Sequence, residues 1–167
     1  MKFNLINHAS LLIEAGSIRV LTDPWVYGKV FDNGWSLLQE CALPNSEDYD
    51  YVWVSHEHPD HFSPFLYKND SIPLSKKILL QEVIEIPKSG LVLESVLIHG
   101  GMNKDFDSWI SLSHEGSTFL NLNDCVAFHA AKEIQEIAKR VGKIDVLATQ
   151  FSFANWTGNR GDTETPK

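Results

Sequence analysis

A chain of 167 residues with 43% hydrophobic and 22% charged side chains has the make-up of one folded domain, which excludes disordered and fibrous classes. Its 14 basic against 22 acidic residues leave a net charge of -8, which repels nucleic acid and anionic membranes, and no basic patch offsets it. No apolar run approaches the roughly 18 residues of a membrane span, the N-terminal MKFNLINHASLLIEAG lacks a signal peptide's apolar core, and the two distant cysteines, Cys41 and Cys125, form no disulfide framework, so a soluble cytoplasmic protein is expected.

Short runs rich in leucine, isoleucine and valine at 2–7, 10–15 and 18–22, parted by turn formers such as Gly16-Ser17, predict a strand meander. Asp23-Pro24 ends it, because proline donates no ladder hydrogen bond. Residues 25–50 are irregular and aromatic, and the run 49–55 predicts a strand leading into SHEHPDHF. Ser63-Pro64 reads as the cap and first position of a short helix. Strands follow at 76–81 and 91–98, and then a hairpin with arms 108–114 and 118–123 and a turn at 115–117. Ile134, Ile137, Ala138 and Val141, with Gly142 as stop, predict an amphipathic helix over 130–141, and a last strand covers 145–152. The whole is an α/β sandwich in one domain over residues 1–156, with a polar, partly disordered tail at 157–167.

The chemistry concentrates in His56-Glu57-His58-Pro59-Asp60-His61. In an extended segment His56 and His58 project to one side and can grip one ion. Pro59 then turns the chain, and Asp60 and His61 swing back toward the same point. Imidazole and carboxylate donors suit one or two divalent ions, zinc first and manganese or iron next. Such an ion makes a hydroxide from bound water near neutral pH, and Asp60 is placed to orient it or take its proton.

HEHPDH at 56–61 matches the H-x-H-x-D-H signature of the metallo-β-lactamase superfamily, and residues 7–25 resemble the first strands of its lactonase-like branch. FLNLNDC (119–125) and DVLATQFSFANW (145–156) are similar to segments of CMP-N-acetylneuraminate hydroxylase-like proteins. The resemblance implies a four-layer αββα sandwich, possibly incomplete at its C-terminus, with a metal site at one edge of the two sheets. It makes His56 and His58 ligands of a first site, Asp60 and His61 ligands of a second, and Asp124 the bridge. Independently, Asp124 lies at a strand end, where carboxylates are often functional. His8 and Asp23 match early polar positions of the branch and are taken as groups that orient ligands or face substrate.

The chain departs from the family pattern twice. A third histidine for the first site is due between His61 and Asp124, where the comparison falls on Asn103; His99 is the candidate replacement, with Asp105, Asp107 and His129 behind it. His114, at the far end of the hairpin, lies about 20 Å from Asp124 at about 3.3 Å per residue, and is expected to be an exposed tip. Secondly, family members usually take a last histidine from beyond the final strand, whereas no histidine follows His129 here. A fragment of a longer protein, or a last ligand from water or a partner, would account for that.

Residues 25–50 form the expected substrate wall, with Trp25 and Trp35 either stacking on a ring or closing the core. Cys125 is expected to be a packed thiol. Three functions follow. The leading one is a hydrolase using metal-bound hydroxide on a lactone, ester or phosphoester of a small molecule, such as a sugar derivative. An iron-dependent redox enzyme of sugar-nucleotide metabolism is the alternative; it requires an electron donor from elsewhere, because the chain has no Rieske-type Cys-x-His pairs. A truncated or non-catalytic metal-binding domain is the third. Exposed sheet edges would favour a homo-oligomer.

Overall fold

The computed structural model describes residues 1–63, 77–78, 82–86, 91–99, 106–125 and 131–149, with 77–78, 82–86, 91–99, 106–107, 131, 133, 134 and 137 given by their backbone. Two five-stranded sheets dominate. The first has the order β1-β2-β3-β6-β7, from β1 (Lys2–Asn7), β2 (Ser10–Ala15), β3 (Ile18–Thr22), β6 (Tyr51–Trp53) and β7 (Lys77–Ile78). The second runs β12-β11-β10-β9-β8, from β8 (Glu82–Ile86), β9 (Leu91–His99), β10 (Phe106–His114), β11 (Ser117–Asn123) and β12 (Val146–Thr149). Between β3 and β6 a small hairpin pairs β4 (Lys29–Val30) with β5 (Trp35–Ser36).

Alternation along each strand explains why the sheets stack. Ile13, Ala15, Val20 and Trp53 of the first sheet meet Ile110, Leu112 and Phe119 of the second in one core, all at most 1% exposed. Their neighbours one residue away, Leu12, Leu21 and Val52, face the opposite side of the first sheet and pack under Val26, Tyr49 and Leu43 of the 23–50 connection. On the outer side of the second sheet, Trp109, Leu120, Leu122 and Cys125 take Val141 and Ile144 from helix α1 (Ala131–Val141) and its exit. Each fully buried aliphatic or aromatic side chain contributes about 1.5–3 kcal/mol. The architecture is the expected sandwich in incomplete form: among the described residues two stacked sheets carry α1 on the second, while the 23–50 connection covers the first.

The antiparallel meander β1-β2-β3 forms as predicted. β6 then lies parallel to β3, which sets the ends of β3 and β6 side by side. In the second sheet β8-β9-β10-β11 is antiparallel, and α1 carries the chain back to a parallel β12. The strand expected over 49–55 is confined to 51–53, with Tyr49 in the packed cover instead. β8 and the β4–β5 hairpin were not foreseen.

The hairpin turn needs correction. His114 pairs with Ser117, so the turn has two residues, Glu115 and Gly116, both left-handed at φ 50° and 75°, which matches strand twist. Nor is His114 an exposed tip: it is 8% exposed, because the tip folds onto the other sheet, and a Cβ at Gly16 would lie 2.8 Å from its Nε2. The tail at 157–167, the helix expected from Ser63-Pro64, and Asn103, Asp105 and His129 lie outside the described residues. No helix among the described residues is long and apolar enough to cross a membrane.

Candidate metal centre

Parallel pairing of β3 and β6 delivers Asp23 and Ser55 to one end of the first sheet, and the β1–β2 turn brings His8 there. From the second sheet, β11 ends at the same place with Asn123 and Asp124. Beyond Ser55 the chain tightens, with the N–H groups of His61 and Phe62 donating to the His58 carbonyl at 2.9 and 2.7 Å. That turn throws Asp60 and His61 back over His56, as the position of Pro59 leads one to expect.

The predicted ligands converge. Asp124 Oδ2 lies 3.9 Å from His56 Nε2 and 3.6 Å from His61 Nε2, the place of a bridging carboxylate. His58 Nδ1 is 2.8 Å from His56 Nε2. Asp60 Oδ2 is 3.4 Å from His61 Nε2 and 3.2 Å from His8 Nε2. His99 closes β9 opposite Phe106, at the same end of the sheet as Asp124.

Both buried imidazoles are held from behind. Asp23, fully buried, accepts the Ser55 N–H at 2.7 Å on Oδ1, while its Oδ2 accepts from Asn123 Nδ2 at 2.9 Å and lies 3.2 Å from His61 Nδ1. Ser55 Oγ lies 2.9 Å from His56 Nδ1 and accepts from Asn123 Nδ2, and the Ser55 carbonyl accepts from Ser108 Oγ at 2.7 Å. With Nδ1 of each ring engaged this way, Nε2 faces the cluster, as outer partners do for metal-bound histidines. Sequence reasoning names Asp23 as a ligand-orienting or substrate-facing group but does not name Ser55, Ser108 or Asn123. The only signal for Asn123 was asparagine at a strand end, a residue type suited to its φ of 47°.

Charge reinforces the geometry. Burial depresses the His61 imidazole, but hydrogen bonds to Asp124, Asp23 and Asp60 outweigh it and push the pKa up to about 12. His56 goes the other way, held down to about 4 by burial and by the charge on His61. For Asp60 burial acts upward, yet the bonds from His61 and His8 hold the carboxyl well below the usual range. Asp124 is lowered too, where the His61 hydrogen bond and charge overcome burial. Three carboxylates thus surround one buried imidazolium. A divalent cation satisfies them better and takes the Nε2 lone pair by displacing its proton. Asp60 Oδ1, buried and with no hydrogen-bond partner among the described residues, fits the same reading. The donor set of imidazole nitrogens and carboxylate oxygens suits zinc, iron or manganese.

A cavity of about 590 Å³ opens on the cluster, with His8, Asp60 and Asp124 on one side and Leu5, Trp35 and Leu147 on another. The two tryptophans of the expected wall divide their roles: Trp25 is 2% exposed and closes the core, whereas Trp35 is 39% exposed and lines the cavity. Cys125 packs with Trp109 and Leu122 on the helix side, away from the ligands.

A family profile described as a beta-lactamase superfamily domain matches residues 2–150. The chain belongs to this superfamily. Among curated relatives, the cytidine monophosphate-N-acetylneuraminic acid hydroxylase of Danio rerio is 29% identical over 147 residues, covering 72% of this chain and 25% of that protein. The chain therefore spans about a quarter of that relative's length. Among solved structures, the isothiocyanate hydrolase from Delia radicum gut bacteria matches with a TM-score of 0.61 at 15% identity, over 88% of this chain and 70% of that one. CmlA, a diiron β-hydroxylase from Streptomyces venezuelae, matches at 0.52 and 14% identity, over 87% and 33%. A hydrolase and a diiron hydroxylase are thus both built on this fold.

Proposed function

We propose that this protein is a metal-dependent hydrolase acting on a lactone, ester or phosphoester of a small molecule. The observation that carries the reading is the meeting of His56 Nε2, His61 Nε2 and Asp124 Oδ2 within 4.8 Å of one another, beside a cavity of substrate size. His56, His58 and Asp124 would hold one ion, and Asp60, His61 and Asp124 a second. When bound, such ions lower the pKa of coordinated water and polarise a carbonyl or phosphoryl oxygen.

The chain's own residues do the rest. Asp23 and Ser55 fix the two buried rings so that their Nε2 atoms stay aimed. Asp60, whose carboxylate lines the cavity, serves as proton acceptor or orienter. Trp35 and Leu147 give the cavity apolar walls, against which a sugar or acyl group can lie. Zinc is the proposed ion, with manganese second, on the mixed nitrogen and oxygen donors. Its substrate class extends to sugar derivatives on the likeness to the sialate hydroxylases.

Elemental analysis of the chain purified without added metal tests this. About two zinc or manganese ions per chain, with turnover in a panel of lactones and phosphoesters, is the expected result. Fewer than one ion per chain would sink it and leave a non-catalytic domain. A second reading, iron-dependent oxidation of a sugar nucleotide, is favoured by the hydroxylase relatives and by the diiron neighbour. Two irons per chain, with electron uptake from an added donor, would select it. A cytoplasmic location and homo-oligomer formation through edge strands complete the proposal; native localisation and light scattering decide them.

A further inference from the structure

We infer that His8 is itself a ligand of the second ion, a further donor beside Asp60, His61 and the shared Asp124 that the H-x-H-x-D-H loop does not supply. This rests on the metal reading above and extends it to a residue eight positions from the N-terminus.

Geometry comes first. His8 Nε2, Asp60 Oδ2 and His61 Nε2 all lie within 4.8 Å of one another. The two separations from Asp60 Oδ2, 3.2 Å to His8 and 3.4 Å to His61, match the edge of a tetrahedron whose centre sits about 2.1 Å from each donor, roughly 3.4 Å. A hydrogen-bonded pair explains one imidazole on that oxygen. Two Nε2 atoms converging on one carboxylate oxygen describe a shared centre better.

Local structure supports the same role. His8 holds a left-handed backbone at φ 44°, where residues with a side chain are uncommon, and its N–H donates to Asn7 Oδ1 at 3.0 Å. The ring is set edge-on against Trp25, centroids 5.2 Å apart. The turn therefore fixes where the imidazole points. Exposure completes the picture. The side chains of Asp60 and His61 are 7% and 2% exposed, and that of His8 is 34%. All three line the cavity, with His8 the most accessible of them, so the set faces the substrate side.

The test is titration of the metal-free full chain with Co²⁺, followed by visible absorption and equilibrium dialysis, in wild type and His8→Asn. Asparagine tolerates the left-handed backbone. Expected are two ions in wild type and, in the variant, an unchanged first step with the second weakened about a hundredfold. Two unchanged steps in the variant would overturn the inference, as would equal weakening of both, which marks a structural role. No ion bound by wild type would overturn the metal reading itself. Should His8→Asn not fold, ¹¹³Cd-loaded wild type labelled with ¹⁵N-histidine decides. A ¹¹³Cd–¹⁵N coupling to His8 supports the assignment, and its absence while His61 is coupled removes it.

Discussion

The two ends of the sandwich reverse the chain in different ways. At one end the turns use Gly16, Glu115 and Gly116 in left-handed conformation, at φ 62°, 50° and 75°. At the other the left-handed positions are His8, Asp23 and Asn123, at 44°, 36° and 47°. Glycine makes such turns with little strain, whereas a residue with a Cβ in the left-handed region costs about 1–2 kcal/mol. Of the four turn positions with a Cβ, only Glu115 lies at the first end; His8, Asp23 and Asn123 lie where their side chains reach the histidine cluster, and strain of that kind gathers at functional sites. One end only closes the fold; the other closes it and carries chemistry.

Substitutions can break that contrast. The largest effect is expected from His58→Ala, which should remove most of the bound metal; undiminished content by elemental analysis would defeat the ligand assignment. Next, Asp23→Ala strands the Ser55 N–H, Asn123 Nδ2 and His61 without their acceptor, and should cost about 3 kcal/mol in urea unfolding. A loss below about 1 kcal/mol would show that the buried network is not what holds this end together.

At the opposite end, Gly16→Ala should cost about 2 kcal/mol, from the left-handed backbone and the 2.8 Å approach to His114, while metal content stays constant. His114→Ala is expected to cost about 1 kcal/mol, again with metal unchanged. Metal loss in either variant would erase the distinction between the ends.

Acidity sharpens it without mutation. In metal-free protein His56 has a folded pKa of about 4 against 6.5 unfolded. The unfolded chain therefore binds the extra proton in that window, and stability falls as pH drops from 6.5 to 4. His61, at about 12 against 6.5, has the opposite sign, and its contribution is lost as pH rises from 6.5 toward 12. Metal-free stability should thus peak near pH 6.5, and urea midpoints that do not change between pH 5 and 8.5 would contradict the charge arrangement.

How much was legible in the sequence depends on whether the signal was local. The meander, the β10–β11 hairpin and α1 follow from periodicity and turn formers within a few residues. HEHPDH carries its chemistry in six adjacent positions, and Asp124 stands at a strand end. The role of Asn123 depends on Ser55 and Asp23, which are remote in sequence, so nothing near it announced the contact. His114 was misjudged for a similar reason: strand arithmetic placed it at the correct end, but its burial comes from Gly16 of the other sheet. β8 was missed because EVIEI is only five residues long and, with Val83 beside Ile84, lacks the period-two alternation of a strand.

The bond from Asn123 to Asp23 joins residues 100 positions apart, and the two belong to different sheets. During synthesis, His8 and the histidine loop leave the ribosome long before Asn123 and Asp124 exist as part of the chain. The closing of such a long loop is slow and comes late in folding. The cluster therefore cannot form until Asn123 and Asp124 have been made and the two sheets have met, and any ions it holds would be acquired after that point. Metal availability at that moment, rather than when the histidine loop first emerges, would decide which ion the protein carries.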